Sequence, residues 1–188
     1  MTDLPRVTAV LAAVGLGPDL SGIAESVLEV ARARGTAVHA AIEALTYGYE
    51  PEIPDGVGPY LDGYRKFLAE TGYRPVVHEV EVVDPRWQYV GHADGVGWIA
   101  EDRVLVDWKA TAVLDVDAVS YQLAAYRQAW QARRPTEPIK RLIAVQFKPG
   151  AYRMHEVGKN GGPSVAEATS VWQAAVIIFR AQRRRVGA

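Results

Sequence analysis

The stretch GHADGVGWIAEDRVLVDWKAT, residues 91–111, constrains the fold more than any other part of the chain. Two strand-like runs flank a short polar step at Glu101-Asp102, which predicts an antiparallel hairpin. Just upstream, PVVHEVEVV (75–83) alternates and predicts a third strand, with Val77, Glu79, Glu81 and Val83 on one face. Three consecutive strands are the seed of one sheet, which the rest of the chain must complete and cover.

Strand residues two apart share a face and lie about 6.6 Å apart, so Asp107 and Lys109 point the same way. If Ala100 pairs with Arg103, Asp94 stands opposite Lys109 and diagonally from Asp107, roughly 7–8 Å away. A slip of one residue would turn Asp94 to the other face. Gly91, Gly95 and Gly97 clear the strand around Asp94, as happens where a ligand or another backbone approaches closely. Carboxylates near a sheet interior are costly unless they are paired or used. Two of them beside a lysine suit a hard cation such as Mg²⁺ or Mn²⁺. Such an ion acidifies a bound water and stabilises charge on a phosphoryl oxygen, and the lysine can orient that water. The constellation suits hydrolysis of a phosphodiester.

The flanking segments read as helices and two more strands. Residues 1–20 hold a short helix closed by Gly and Pro. Residues 22–45 are helical in spacing, with Val27, Val30, Val38, Ile42 and Leu45 as the apolar stripe and Asp19 or Ser21 as the cap. His39 lies on that helix, with Glu43 one turn on and Gly35 one turn before. A second helix covers 60–72 and ends at Gly72. After the hairpin come a helix over 115–134, capped by Asp115 or Asp117, a strand over 139–149, a strand over 151–157, a turn at 158–162 and a closing helix over 164–185. The expectation is an α/β (α+β) fold with a mixed central sheet flanked by helices.

Composition excludes several classes. The 188 residues suit one domain, with 1–72 as a helical part carrying His39 and 73–188 as the sheet core. There is no cysteine, hence no disulfide, thiolate nucleophile or Cys-ligated iron–sulfur cluster. No apolar run approaches the ~18 residues of a spanning helix, and the start MTDLPR lacks a signal-peptide pattern, so a cytoplasmic protein is expected. The net charge is −1. Any contact with nucleic acid would therefore have to come from local cations such as Lys140, Arg141, Lys148, Arg153 and the RAQRRR terminus.

In order, RGTAVHAAIE, HEVEVVDPRWQYVGHAD, VLVDWKAT and YQLAAY resemble the PD-(D/E)XK nuclease superfamily, in its RecB-like and phage exonuclease branch. The resemblance runs from Gly35 to Tyr126 and implies a restriction-endonuclease-like core of order αβββαβ. It implies that His39, Asp94, Asp107 and the backbone carbonyl of Trp108 ligate the metal, with Lys109 as the catalytic lysine. Glu79 would be the upstream acid, with Glu81 as the alternative, and Gln122 and Tyr126 would line the site. The activity implied is a metal-dependent DNA exonuclease of recombination or repair, perhaps phage-encoded. The rivals are an endonuclease, a non-cleaving DNA-binding or assembly subunit, and a hydrolase of smaller phosphate esters.

Taken singly, each signal has a plainer meaning. A D-x-K run arises about once by chance in a chain this long, a helix histidine is commonly a packing residue, and Gln122 with Tyr126 could be a boundary pair. Their order and spacing together favour the site. His92 is an auxiliary candidate, while His78 and His155 read as structural.

Overall fold

The alternation of 74–109 does become three antiparallel strands: β1 (Arg74–Asp84), β2 (Tyr89–Ile99) and β3 (Asp102–Lys109). The computed structural model describes residues 4–159 and 161–186; Asn160, within the expected 158–162 turn, lies outside them. Helix α4 (Val116–Arg133) then carries the chain across to β4 (Arg141–Lys148), which pairs parallel to β3, and β5 (Ala151–Glu156) adds antiparallel to β4. The five strands stand in sequence order in one mixed sheet. Helices α1 (Val7–Ala13), α2 (Glu25–Thr46), α3 (Gly58–Thr71) and α5 (Val165–Val186) complete the α/β architecture expected from the sequence. No described helix is long and apolar enough to cross a membrane.

Two apolar layers sandwich the sheet. One unites α1, α4 and α5 around Leu105, Leu123, Trp130 and Trp172. The other unites α2 and α3 around Ile42, Phe67, Trp108 and Phe147. In that second layer Trp108 is 1% exposed. Its ring meets Tyr64, Phe67, Tyr73 and Phe147 at centroid distances of 5.7 Å, each such pair worth about 0.5–1.5 kcal/mol beyond area burial. The middle residue of D-x-K is therefore anchored by a ring of aromatics.

Three local expectations need correction. The β2–β3 turn is Ala100-Glu101, not Glu101-Asp102, because Ile99 pairs with Asp102 and Trp98 with Arg103. Ala100 adopts a left-handed φ of 51° to make it, a conformation that an alanine gives no reason to expect. The pairing is thus displaced by two residues, which preserves faces: Gly95 meets Val106, so Asp94 stands across from Asp107 rather than Lys109. The apolar stripe of α2 is only half used. Val38, Ala41 and Ile42 are buried, while Val27 and Val30 are 58% and 65% exposed. That helix starts after Ala24 with no side-chain cap; Asp19 instead accepts from Ser21 N–H.

The expected shared face of Val77, Glu79, Glu81 and Val83 also fails. His78 packs on Trp108 in the α2–α3 layer, whereas Val80 and Val82 pack towards α4. Across the ladder, Gly95 and Gly97 meet Tyr73, but Ala93 joins the α4 layer and Gly91 meets Tyr126. Besides the register shift between Pro75 and Val77, alternation therefore breaks at the rung where Glu79 has φ 47° and Asp94 is its neighbour in register. A non-glycine residue held there costs on the order of 1–3 kcal/mol. The break brings Glu79 and Asp94 to the same histidine.

Candidate metal centre

Helix α2 delivers His39 onto the end of β3. His39 Nε2 lies 2.8 Å from the Trp108 carbonyl and donates to it. The other nitrogen, Nδ1, faces Glu79 Oε1 at 3.5 Å and Asp94 Oδ1 at 3.7 Å. Burial pulls the imidazole pKa down, but the Glu79 hydrogen bond, Asp94, the Trp108 carbonyl and Asp107 outweigh it and push it up to about 9. Without a metal, His39 is therefore a cation shared among carboxylates.

The two strand acids are deeper. Asp94 is 8% exposed, and its Oδ2 accepts the Trp108 N–H at 2.6 Å. Burial raises its pKa and the facing Asp107 raises it further, against the pull of His39 and Lys109. Asp107 is 1% exposed. Its Oδ1 accepts from Gln122 Nε2 at 2.8 Å, and its Oδ2 lies 2.8 Å from Lys109 Nζ. Beyond that ion pair Oδ2 has no hydrogen-bond partner, so it retains an acceptor direction. Burial lowers the Lys109 pKa, but Asp107 and Asp94 more than offset this and hold the amine protonated. Lys109 is thus a cation at neutral pH.

The remaining expected residues fall into place around this pair. Gln122 Nε2 also donates to Tyr126 Oη at 3.0 Å, so one amide ties α4 to Asp107. Glu79 is about one-third exposed, and its carboxyl is held low by the hydrogen bond to His39. Glu81 instead faces His92 at 3.6 Å, both exposed to solvent. Glu43 lines an open depression beside Glu79 and makes no hydrogen bond to His39.

The donor set fits a divalent hard cation. His39, Glu79 and Asp94 each offer one ligand atom, all within 4.8 Å of one another. Asp107 lies outside this trio and offers the under-used Oδ2. The Trp108 carbonyl adjoins His39 Nε2. Three carboxylates, a carbonyl and one imidazole match Mg²⁺ or Mn²⁺ better than a soft metal.

Two features escaped the sequence reading. Trp108 commits all three of its polar groups: N–H to Asp94, carbonyl to His39, and indole N–H to the buried His78 at 3.3 Å. The only signal was a histidine interrupting the apolar run of β1. The glycines open space for rings rather than for a ligand. A Cβ on Gly91 would lie 2.6 Å from Tyr126 Cδ1, and one on Gly97 would lie 2.6 Å from Tyr73 Cε2.

No protein-family model and no curated protein matches the chain. Among solved structures it is similar to a candidate exonuclease from Eubacterium rectale, at 10% identity and TM-score 0.51, over 95% of this chain and 71% of that one. LHK-Exo in complex with dAMP overlaps at 11% identity and TM-score 0.44, over 95% and 87%. SSO0001 overlaps at 15% identity and TM-score 0.36, over 63% of this chain and 56% of its own length. Likeness at these identities speaks to fold, and only the first overlap is close enough to do so. The chain has an α/β fold with a mixed five-stranded sheet, similar to the fold of that candidate exonuclease.

Proposed function

We propose that the chain is a metal-dependent deoxyribonuclease of the PD-(D/E)XK kind, trimming DNA ends in recombination or repair. One observation carries the reading. An α2 imidazole, the β1 and β2 acids and the β3 acid with its lysine meet at a single place, although up to 70 residues separate them in the chain. The structural neighbour described as a candidate exonuclease agrees with it.

His39, Glu79, Asp94, Asp107 and the Trp108 carbonyl would hold a Mg²⁺ or Mn²⁺ ion. When bound, such an ion supplies an acidified water and positive charge for the phosphoryl oxygens. Lys109 keeps its proton and directs an ammonium at the position where negative charge develops. Gln122 fixes the rotamer of Asp107, and Tyr126 fixes Gln122. Trp108 N–H fixes Asp94. The aromatic ring around Trp108 holds that backbone still, the preorganisation on which such sites depend.

The test is digestion of end-labelled linear and closed circular DNA with Mg²⁺, with Mn²⁺ and with chelator. Loss of linear DNA in either metal, abolished by chelator and by Asp107→Ala, is the expected result. Binding of DNA without any cleavage would reduce the protein to a non-cleaving scaffold and overturn the reading.

A further inference from the structure

On the Lys109 side of the acid cluster lies a groove of about 440 Å³, bounded by α2, the α1–α2 connection and the segment linking β3 to α4. Its walls include Leu20, Leu28, Val113 and Leu114, and its lining also includes His39, Lys109 and Gln122 beside the acids. Leu20 and Val113 are 44% and 84% exposed, apolar surface that folding leaves in water. The wall from β3 to α4 is nevertheless fixed. Gln146 Nε2 donates to the carbonyls of Thr111 and Ala112 at 2.8 and 3.1 Å, and Arg34 Nε donates to that of Ala110 at 3.2 Å. The groove is thus preformed, and its size falls within the ~300–1,000 Å³ of small-ligand sites.

We infer that this groove receives the unstacked base of the nucleotide at the end of the strand being cut. The inference rests on the nuclease reading and adds a subsite to it. A ligand seated here has its body against aliphatic side chains and one end at Lys109, beside the acids. An apolar planar body linked within one residue to an anion describes a nucleotide. On the other side of His39, the open depression is lined by Gly35, Thr36, Ala40, Glu43 and Glu79 and offers no leucine, valine or other large aliphatic side chain. The site is therefore one-sided, with shelter for a base in one direction only. Bases leave the stack most cheaply where they are unpaired, so the groove favours a frayed or single-stranded end over a duplex interior. Its walls are mainly aliphatic, so it should take every base with similar affinity.

The test has two readouts. The first is fluorescence of 2-aminopurine deoxyribonucleoside, titrated with the protein in chelator and again in Mg²⁺. We expect a saturable change, weakened at least tenfold in the Leu20→Gln/Val113→Asn double variant, with deoxyribose 5-phosphate unable to compete. The second is cleavage of single-stranded oligonucleotides whose terminal nucleotide carries adenine, thymine or no base. Wild-type kcat/KM should fall about tenfold or more on the abasic end and differ little between the two bases. The double variant should lose that preference while still cutting the abasic end at the wild-type rate. Cleavage of DNA with no base dependence overturns the groove proposal alone. Base binding by a protein that cuts no DNA supports the groove and overturns the nuclease reading. No base-dependent signal in either readout leaves the groove to another occupant and overturns the proposal.

Discussion

Replacing Gly91 with alanine should unsettle the site from a position that touches no ligand atom. The added Cβ would lie 2.6 Å from Tyr126 Cδ1 and 3.3 Å from Val7 Cγ2. Ordinary carbon contacts begin near ~3.5 Å, so the overlap with the ring is close to 1 Å. Tyr126 cannot yield cheaply, being 4% exposed and held at its hydroxyl by Gln122. Overpacking of this kind costs about 1–3 kcal/mol, and the ring's displacement would also loosen Gln122 from Asp107. We expect a loss of about 2–3 kcal/mol, read as a lower urea midpoint at unchanged slope, and a Tm lower by roughly 4–12 °C. In a Tyr126→Ala background the same change should cost under about 0.5 kcal/mol, since the Cβ then enters vacated space. A Gly91→Ala cost within 0.5 kcal/mol in the wild-type background, or an equal cost in both backgrounds, would refute the packing role given to this glycine.

Further outcomes follow from the electrostatics. In metal-free protein the His39 pKa is raised from its ordinary 6.5 to about 9. Its contribution, at most about 3 kcal/mol, is fully present below about pH 6.5 and is lost as pH rises through about 9. Urea unfolding from pH 6 to 10 should show that decline, and His39→Gln should flatten it. Because this imidazole must give up a proton to bind metal, and Asp94 is raised by burial and Asp107, Mn²⁺ binding at pH 7 should release about one proton or more. Calorimetry in buffers of differing ionisation enthalpy measures this, and no release would contradict a charged His39. Lys109→Met should lower cleavage at least about 100-fold without weakening Mn²⁺ affinity, as judged by parallel activity and binding titrations.

Much of the architecture was legible because period-2 alternation and Gly-Pro punctuation mark strands and turns locally. The residues that converge at the candidate site were legible through their order along the chain. Register was not. The β2–β3 turn depends on Ala100 at positive φ, and nothing in an alanine announces that conformation. The same holds for Glu79, whose φ of 47° accompanies the switch of faces in β1; it is Glu79, not Glu81, that faces His39. The role of the glycines depends on Tyr126 and Tyr73, which arrive from other elements. The outer half of α2 reads as core by spacing but leaves Val27 and Val30 largely in water, since periodicity reports amphipathicity and not the presence of a partner. Asp84 shows the converse. This carboxylate is 2% exposed, yet its role is structural: it accepts from Arg86 N–H, Trp87 N–H and Gln128 Nε2 and closes the β1–β2 turn.

Whether these side chains form a cation site at all is best settled by electron paramagnetic resonance of Mn²⁺ titrated into the purified protein and its Asp94→Asn variant. Asparagine can still accept the Trp108 N–H through its carbonyl oxygen, so the variant should keep the fold while losing a ligand charge. Saturable Mn²⁺ binding by the wild type, weakened at least about tenfold in the variant, is the expected result. No binding at millimolar Mn²⁺, or equal binding by both proteins, would contradict a metal centre at His39, Glu79, Asp94 and Asp107.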